Sequence, residues 1–449
     1  MRAAVTDVVP RQVALRDRTS WSIAAAFFVA TLARGVGQFR YDALYYWWGA
    51  QQVVGSIPGA PDDFWPLRGV LTAWIYAPAA LVARFLGQPV APATVLVENS
   101  LLLAVVAAFL VPAAAQRGRR AGDVRARWIL GGVLWLLTAG FAPFPLMDIW
   151  AAAGCLLLVV LIRRREWWAL MSSGAVAGVV LNLRPAYLVA VIALGVFVVV
   201  RHRWRAVFVV PGVLLALLPQ FVENLSRFPG SLAPWPPASV GLMNAQAAWA
   251  SWVVRYDTLF GADPAGQFFC SPAMAQRVSS DLPVSSVALG LSFLRNVPTS
   301  IVFSSEKLAS ALHWPLSTPY TVPVPVLDGL FALFVTAVTV LGLGYLLLTR
   351  SSSSCATARR DVGPVLAMAG ASVVAIVGSA AESRFALPVV LAGASGLFLL
   401  LQREGTPRFG KTLTISVLVV VMAAAVVGGY AGLSSPMAPG VFGVTACGA

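Results

Sequence analysis

Long apolar runs alternate along the chain with short basic punctuation. A helix needs about 20 apolar residues to cross a bilayer, and the pattern predicts spans near 20–37, 93–115, 127–143, 147–162, 167–183, 186–200, 205–222, 323–349, 362–380, 385–401 and 412–432. Two stretches break the rhythm: the polar and aromatic segment Phe39–Pro66, and a segment from Glu223 to residue 322. A further apolar run, LRGVLTAWIYAPAALVARFLG (Leu67–Gly87), contains Arg68, Pro78 and Arg84. As a span it would place RGRRAGDVRAR (Arg117–Arg127) outside, against the positive-inside bias. As helices lying at the outer interface, it leaves every basic cluster inside. The expectation is an all-α polytopic membrane protein of about eleven spans, N-terminus in and C-terminus out. Its parts are a transmembrane core over 1–222 with a first outer loop at 38–92, an extracytoplasmic loop region at 223–322, and C-terminal helices over 323–449.

Composition agrees with the pattern. Hydrophobic residues make up 59% of the 449 positions and charged residues 11%, against about 25% charged in soluble domains. The net charge of +14 does not signal nucleic-acid binding, because the arginines cluster at the ends of apolar runs, where they set topology. Arg supplies all the basic residues except Lys307 and Lys411, which points to a high-GC bacterial host and to nothing more; the expected location is a bacterial plasma membrane. Arg2, Arg11, Arg16 and Arg18 precede the run Trp21–Val36, and no small-residue cleavage site follows, so the first span is read as uncleaved. Cys155, Cys270, Cys355 and Cys447 show no CxxC pair, which argues against a zinc site. Cys270 and Cys447 both fall outside, which leaves a disulfide open.

On this topology the stretch FRYDALYYWWGAQQVV (Phe39–Val54) sits just beyond the outer end of the first span. Asp42 has two readings: a cap for a helix beginning at Ala43, or a general base. The flank Arg40–Tyr41 and the cluster Tyr45–Trp48 suit an interfacial aromatic belt and the wall of a sugar site equally well. Arg34, Arg68, Arg184 and Arg384 lie at the same outer depth. There an unpaired charge is costly, so they either snorkel to headgroups or meet carboxylates and a lipid-linked phosphate.

Three further segments give this face a family resemblance. FWPLRGVLTAW carries Pro66, Leu67, Arg68 and Trp74; NLRPAY holds Arg184–Pro185; AESRFALP holds Glu382, Arg384 and Pro388. With an aspartate just after an uncleaved first span, their order and common side resemble the class C glycosyltransferases, nearest the protein O-mannosyltransferase and aminoarabinose-transferase branch. The base in the Pro–Leu segment is displaced relative to that branch. The resemblance implies a membrane enzyme that moves a sugar from a polyprenyl-phosphate donor to the hydroxyl of a glycan, lipid or protein acceptor at the extracytoplasmic face. It places Asp42 as the base, Arg68, Arg184 and Arg384 on the donor phosphate, and Asp148, Arg40 and Tyr45 near the acceptor. Asp148 is also open as a divalent-cation ligand or a helix cap; no other cofactor is implied. Glu382 is expected to hold Arg384 in place, and Asp62 and Asp63 to be turn residues.

The 223–322 region resembles nothing nameable. Trp235, Trp249 and Trp252 suit sugar stacking or the headgroup region, and His313 is a lone outer histidine. A polysaccharide polymerase or ligase and a lipid-linked-sugar transporter are the rival readings. The absence of an internal repeat counts against the transporter.

Overall fold

The computed structural model describes residues 17–59, 61, 64–115, 123–262, 266–352, 356–402, 411–438 and 441–447. Asp62, Asp63 and much of the basic punctuation lie outside the described residues. The first half runs through α1 (Arg18–Leu32), α2 (Tyr41–Val53), α3 (Phe64–Leu67), α4 (Val70–Ile75), α5 (Ala77–Leu86), α6 (Gln88–Ala115), α7 (Val124–Phe141), α8 (Met147–Leu161), α9 (Trp167–Leu183), α10 (Leu188–His202) and α11 (Val209–Arg227). The second half contains α12 (Ser239–Ala250), the strands β1 (Val253–Thr258) and β2 (Gly266–Cys270), α13 (Pro272–Val278), α14 (Ser286–Arg295), α15 (Val297–Leu312), α16 (Pro325–Ser352), α17 (Ala356–Val377), α18 (Leu387–Leu401) and α19 (Lys411–Gly432).

Among the described residues, five helices are long and apolar enough to cross a bilayer: Gln88–Ala115, Val124–Phe141, Pro185–Arg227, Pro325–Leu348 and Ser383–Leu401. A sixth arises if α14 and α15, bent 119° from each other, count as one broken span. The protein is an all-α polytopic membrane protein to that extent. Several other predicted spans are short: α1 and α8 have 15 residues each and α9 has 17. The stretch Pro185–Arg227 holds two helices, since Arg203 takes a left-handed φ of 54° between α10 and α11. Leu67–Gly87 forms no single long helix. It breaks at Tyr76 into α4 and α5, with Pro78 placed in the first turn of α5, where its missing N–H costs nothing.

One core cluster runs through the helical body from α1 to α18. The region after residue 222 is an ordered cap rather than a bare loop. Its antiparallel hairpin β1–β2 packs with α13 and Phe303 of α15 in a second apolar cluster. A disulfide joins Cys270 at the end of β2 to Cys447, 177 residues on, and so ties the C-terminal segment to the cap. Lys307 of α15 is fully buried. Its ammonium donates to the carbonyls of Ala250, Val377 and Ser379 at 2.6–3.0 Å, locking the ends of α12 and α17 together.

Candidate functional site

The site begins at the start of α2. Tyr41 has φ 52°, a left-handed conformation that a bulky side chain adopts only when its surroundings force it. The Tyr41 hydroxyl donates to Leu259 O at 2.8 Å. The hydroxyl of Tyr320, buried at the far end of the cap region, accepts from Ala43 N at 3.2 Å and donates to Arg40 O at 3.1 Å. Tyr320 therefore serves the first turn of α2, and no side chain caps this helix from Arg40. Asp42 is released from capping and turns towards arginines instead.

Arg68 Nη2 donates to Asp42 Oδ1 at 2.9 Å, and Arg384 Nη2 to Asp42 Oδ2 at 2.7 Å. About a quarter of the Asp42 side chain stays exposed, matching the 24% of Arg68, while Arg384 is only 4% exposed. Behind this pair lies Asp148, in the first turn of α8 and 1% exposed; it meets Arg184 at 3.0 Å and Arg384 at 3.7 Å. Glu382 pairs with Arg384 and accepts from the Thr258 hydroxyl of β1 at 2.7 Å. The cluster thus holds three guanidinium groups and three carboxylates, which cancel formally. Burial drives the Asp42 carboxyl upward, yet the fields of Arg68, Arg384 and Arg184 together overcome it and hold Asp42 well below the usual carboxylate range.

Each arginine is placed by a backbone device. Arg184 ends α9 in extended conformation (φ −149°), as a residue before proline must, and its guanidinium lies 4.9 Å over the Phe385 ring. Arg384 sits in the 3-10 turn Ser383–Ala386 that opens α18 ahead of Pro388. Arg68 follows α3, and the backbone after it docks on α9 and α11. Leu71 N–H donates to Asn182 Oδ1 and Val70 N–H to Gln220 Oε1, both at 2.8 Å. Gly69 allows that approach: a Cβ there would lie 2.0 Å from Asn182 O. Asn182 donates to Gln220 at 3.0 Å and Gln220 to Asn224 at 2.8 Å. Asn224 in turn donates to the carbonyls of Ala233 and Trp235. This buried amide ladder fixes both the Arg68 turn and the entry to the cap.

The cluster forms the head of a cavity of about 540 Å³. Asp42, Tyr46, Arg68, Arg184, Tyr256 and Arg384 line the polar end; Leu188, Leu242, Met243, Leu289, Phe293 and Val374 line the remainder. The arrangement can take an anion at its head and an apolar chain along its length, next to a carboxylate able to accept a proton.

The expected residues do not all gather here. Asp42, Arg68, Arg184, Arg384 and Asp148 come together, but Asp148 faces the arginines without capping α8. Arg40 lies 4.9 Å over Phe260 and donates to Gln38, and Tyr45 packs on Trp48; neither lines the cavity, and Tyr46 takes the aromatic place with Arg68 5.3 Å over its ring. Trp252 and Trp249 pack on Phe442, Trp235 is exposed, and none of the three faces the cavity. His313 stacks edge-on with Tyr430 beside a separate hollow of about 340 Å³. Among the described residues, no group of three or more His, Cys, Asp or Glu side chains is placed to hold a metal ion. Asp148 spends its carboxylate on arginines.

Sequence reasoning passed over Tyr320, Asn182 and Gln220. No local pattern flags Tyr320. The polar residues Asn182, Gln220 and Asn224 inside or ending apolar runs are a signal that membrane helices rarely carry without purpose. No family model matches the chain, and no curated protein is similar to it in sequence.

Proposed function

We propose that the protein is a membrane glycosyltransferase that moves a sugar from a polyprenyl-phosphate donor to an acceptor hydroxyl. The carrying observation is that one cavity joins an aspartate and three arginines at its head to apolar walls along its length. Planar guanidinium forks bind phosphate bidentately, the apolar walls suit an isoprenoid chain, and the partly exposed Asp42 faces the space between.

In the resting cluster Asp42 is a weak base, because Arg68 and Arg384 both hold it. A donor phosphate competes for the same guanidinium groups. As they turn to it, Asp42 loses the charges that depress its basicity. The acceptor oxygen then attacks the anomeric carbon and gives its proton to Asp42, while the sugar–phosphate bond breaks with its electron pair on the phosphate. The phosphodiester becomes a monoester with one more negative charge, just as Asp42 is neutralised. The net charge of the cluster stays constant through the step, and the arginines stabilise the charge where it develops.

The reading includes the eleven-span topology, with the N-terminus cytoplasmic and the site at the extracytoplasmic face of a bacterial plasma membrane. The Cys270–Cys447 disulfide supports that side, because such bonds persist in oxidising compartments, and the cap that carries it also contributes Thr258 and Tyr256 to the site. The donor sugar, the acceptor class (glycan, lipid or protein) and the stereochemical course follow from the product.

The test is transfer from radiolabelled polyprenyl-phosphate sugars in membranes containing wild type or Asp42→Asn at matched levels. A labelled product that the wild type makes and the variant does not supports the reading. Equal labelling by both moves the base to another residue, and failure with every donor sugar favours a polymerase, ligase or transporter.

A further inference from the structure

The helix α14 has two apolar faces. Leu289 and Phe293, with Ser286 and Gly290, line the cavity. Val287, Leu291 and Leu294, spaced for one helical face, point the opposite way together with Val284 just before the helix, and are 75%, 49%, 71% and 75% exposed in that order. Among the described residues no element covers this outer face, so α14 is a partition one helix thick between the cavity and its surroundings.

We propose that the outer face of α14 lies among the acyl chains of the outer leaflet, and that α14 separates the cavity from the lipid. Its neighbours on the cavity rim carry the argument. Leu188, at the outer end of the candidate span Pro185–Arg227, and Val374, near the end of α17, line the same cavity. Leu188, 36% exposed, opens the exposed apolar stripe Ile192, Val196 and Val199 along α10, and Val374 is 59% exposed. The apolar face of α14 therefore continues the lipid-facing surface of those helices. A helix apolar on both sides needs an apolar medium on each, and four large aliphatic side chains in water would form an uncompensated patch. Arg277 and Arg295, at the edge of this face, suit anionic headgroups as at the rim of interfacial helices. A ligand with a long apolar chain then reaches the cavity past α14, from the leaflet. The inference rests on the embedding of the chain in a membrane and not on glycosyl transfer.

Site-directed spin labelling of the full chain in lipid nanodiscs tests it. Cys155 is buried and Cys270 and Cys447 are paired, so a Cys355→Ser background leaves one introduced thiol to label. Nitroxides at Leu291→Cys and Leu294→Cys are compared with Gln276→Cys on the exposed surface of α13 and Val420→Cys on α19. The expected result is oxygen collision severalfold above collision with a water-soluble nickel chelate, as at Val420. Nickel accessibility matching Gln276 would put the face in water. Low accessibility to both would mean that protein covers it, whether a second copy or another chain. Either of those results overturns the proposal, and agreement of the two positions guards against a local disturbance.

Discussion

Arg68→Met separates binding from folding at this site. Arg68 and Asp42 are each about a quarter exposed, and their 2.9 Å pair is partly solvated; pairs of that kind contribute about 1 kcal/mol or less to stability. The methionine keeps most of the packing against Tyr46, so the variant should fold and express. For donor binding the loss is larger. A hydrogen bond to a charged group contributes about 1.5–3 kcal/mol, which corresponds to roughly 10- to 100-fold in kcat/KM for the donor. The pH profile carries the second readout. Burial pushes the Asp42 carboxyl up, and the arginines push it down further; with Arg68 gone the downward field weakens. The acid limb of kcat/KM, which reports the free enzyme, should therefore move to higher pH, while Arg384 still keeps Asp42 ionised at neutrality. The assay is transfer by the purified variant in nanodiscs, with donor concentration and pH varied. Donor kcat/KM within about threefold of wild type and a superimposable pH profile would refute the assignment of Arg68 to both the phosphate and Asp42.

Further outcomes follow from the same contacts. Gly69→Ala drives a Cβ against Asn182 O, 2.0 Å away; overpacking costs about 1–3 kcal/mol, and thermal unfolding in detergent should shift downward together with a loss of transfer. Asn182→Leu leaves the Leu71 N–H without its 2.8 Å acceptor, a loss of about 1–3 kcal/mol for a buried donor. Donor kcat/KM should fall through displacement of Arg68, and the thermal midpoint should fall with it. Tyr320→Phe removes the acceptor for Ala43 N–H and the donor to Arg40 O. Transfer should fall more than donor binding, because Asp42 moves and the arginines stay, which comparing kcat with donor affinity checks. Asp42 has a depressed folded-state pKa, so its contribution to stability is fully present above the unfolded value of about 3.9 and is lost only as pH falls towards the folded one. Thermal scans should show no Asp42-dependent change between about pH 5 and 8.

The site was legible where chemistry coincides with punctuation. Asp42, Asp148, Arg184 and Arg384 all stand within a residue or two of a helix end, and three of those ends are marked by proline: Pro145, Pro185 and Pro388. A charge at such a position points to one membrane face whatever the details of packing. Legibility fails wherever position depends on phase or on distant contacts. The left-handed Tyr41 starts α2 two residues before Ala43, and Tyr46, not Tyr45, lines the cavity. Tyr320 reaches Arg40 across 280 residues, which no local pattern encodes. In the cap, Arg255 and Asp257 share one face of β1 and pair at 2.7 Å, a pairing that the strand period alone offers. Two breaks between predicted spans are legible for the same reason as the site: the 3-10 turns Pro185–Tyr187 and Arg203–Phe208 stand at a proline and at a basic cluster.

The central claim, that Asp42 takes a proton beside arginines that hold the donor phosphate, is tested most directly by measuring donor binding and single-turnover transfer in purified Asp42→Asn. The substitution removes the carboxylate that competes for Arg68 and Arg384. Donor binding should be at least as tight as in wild type, with a chemical step slowed about 10²- to 10⁴-fold. Transfer at the wild-type rate, or loss of donor binding in a folded variant, would contradict it.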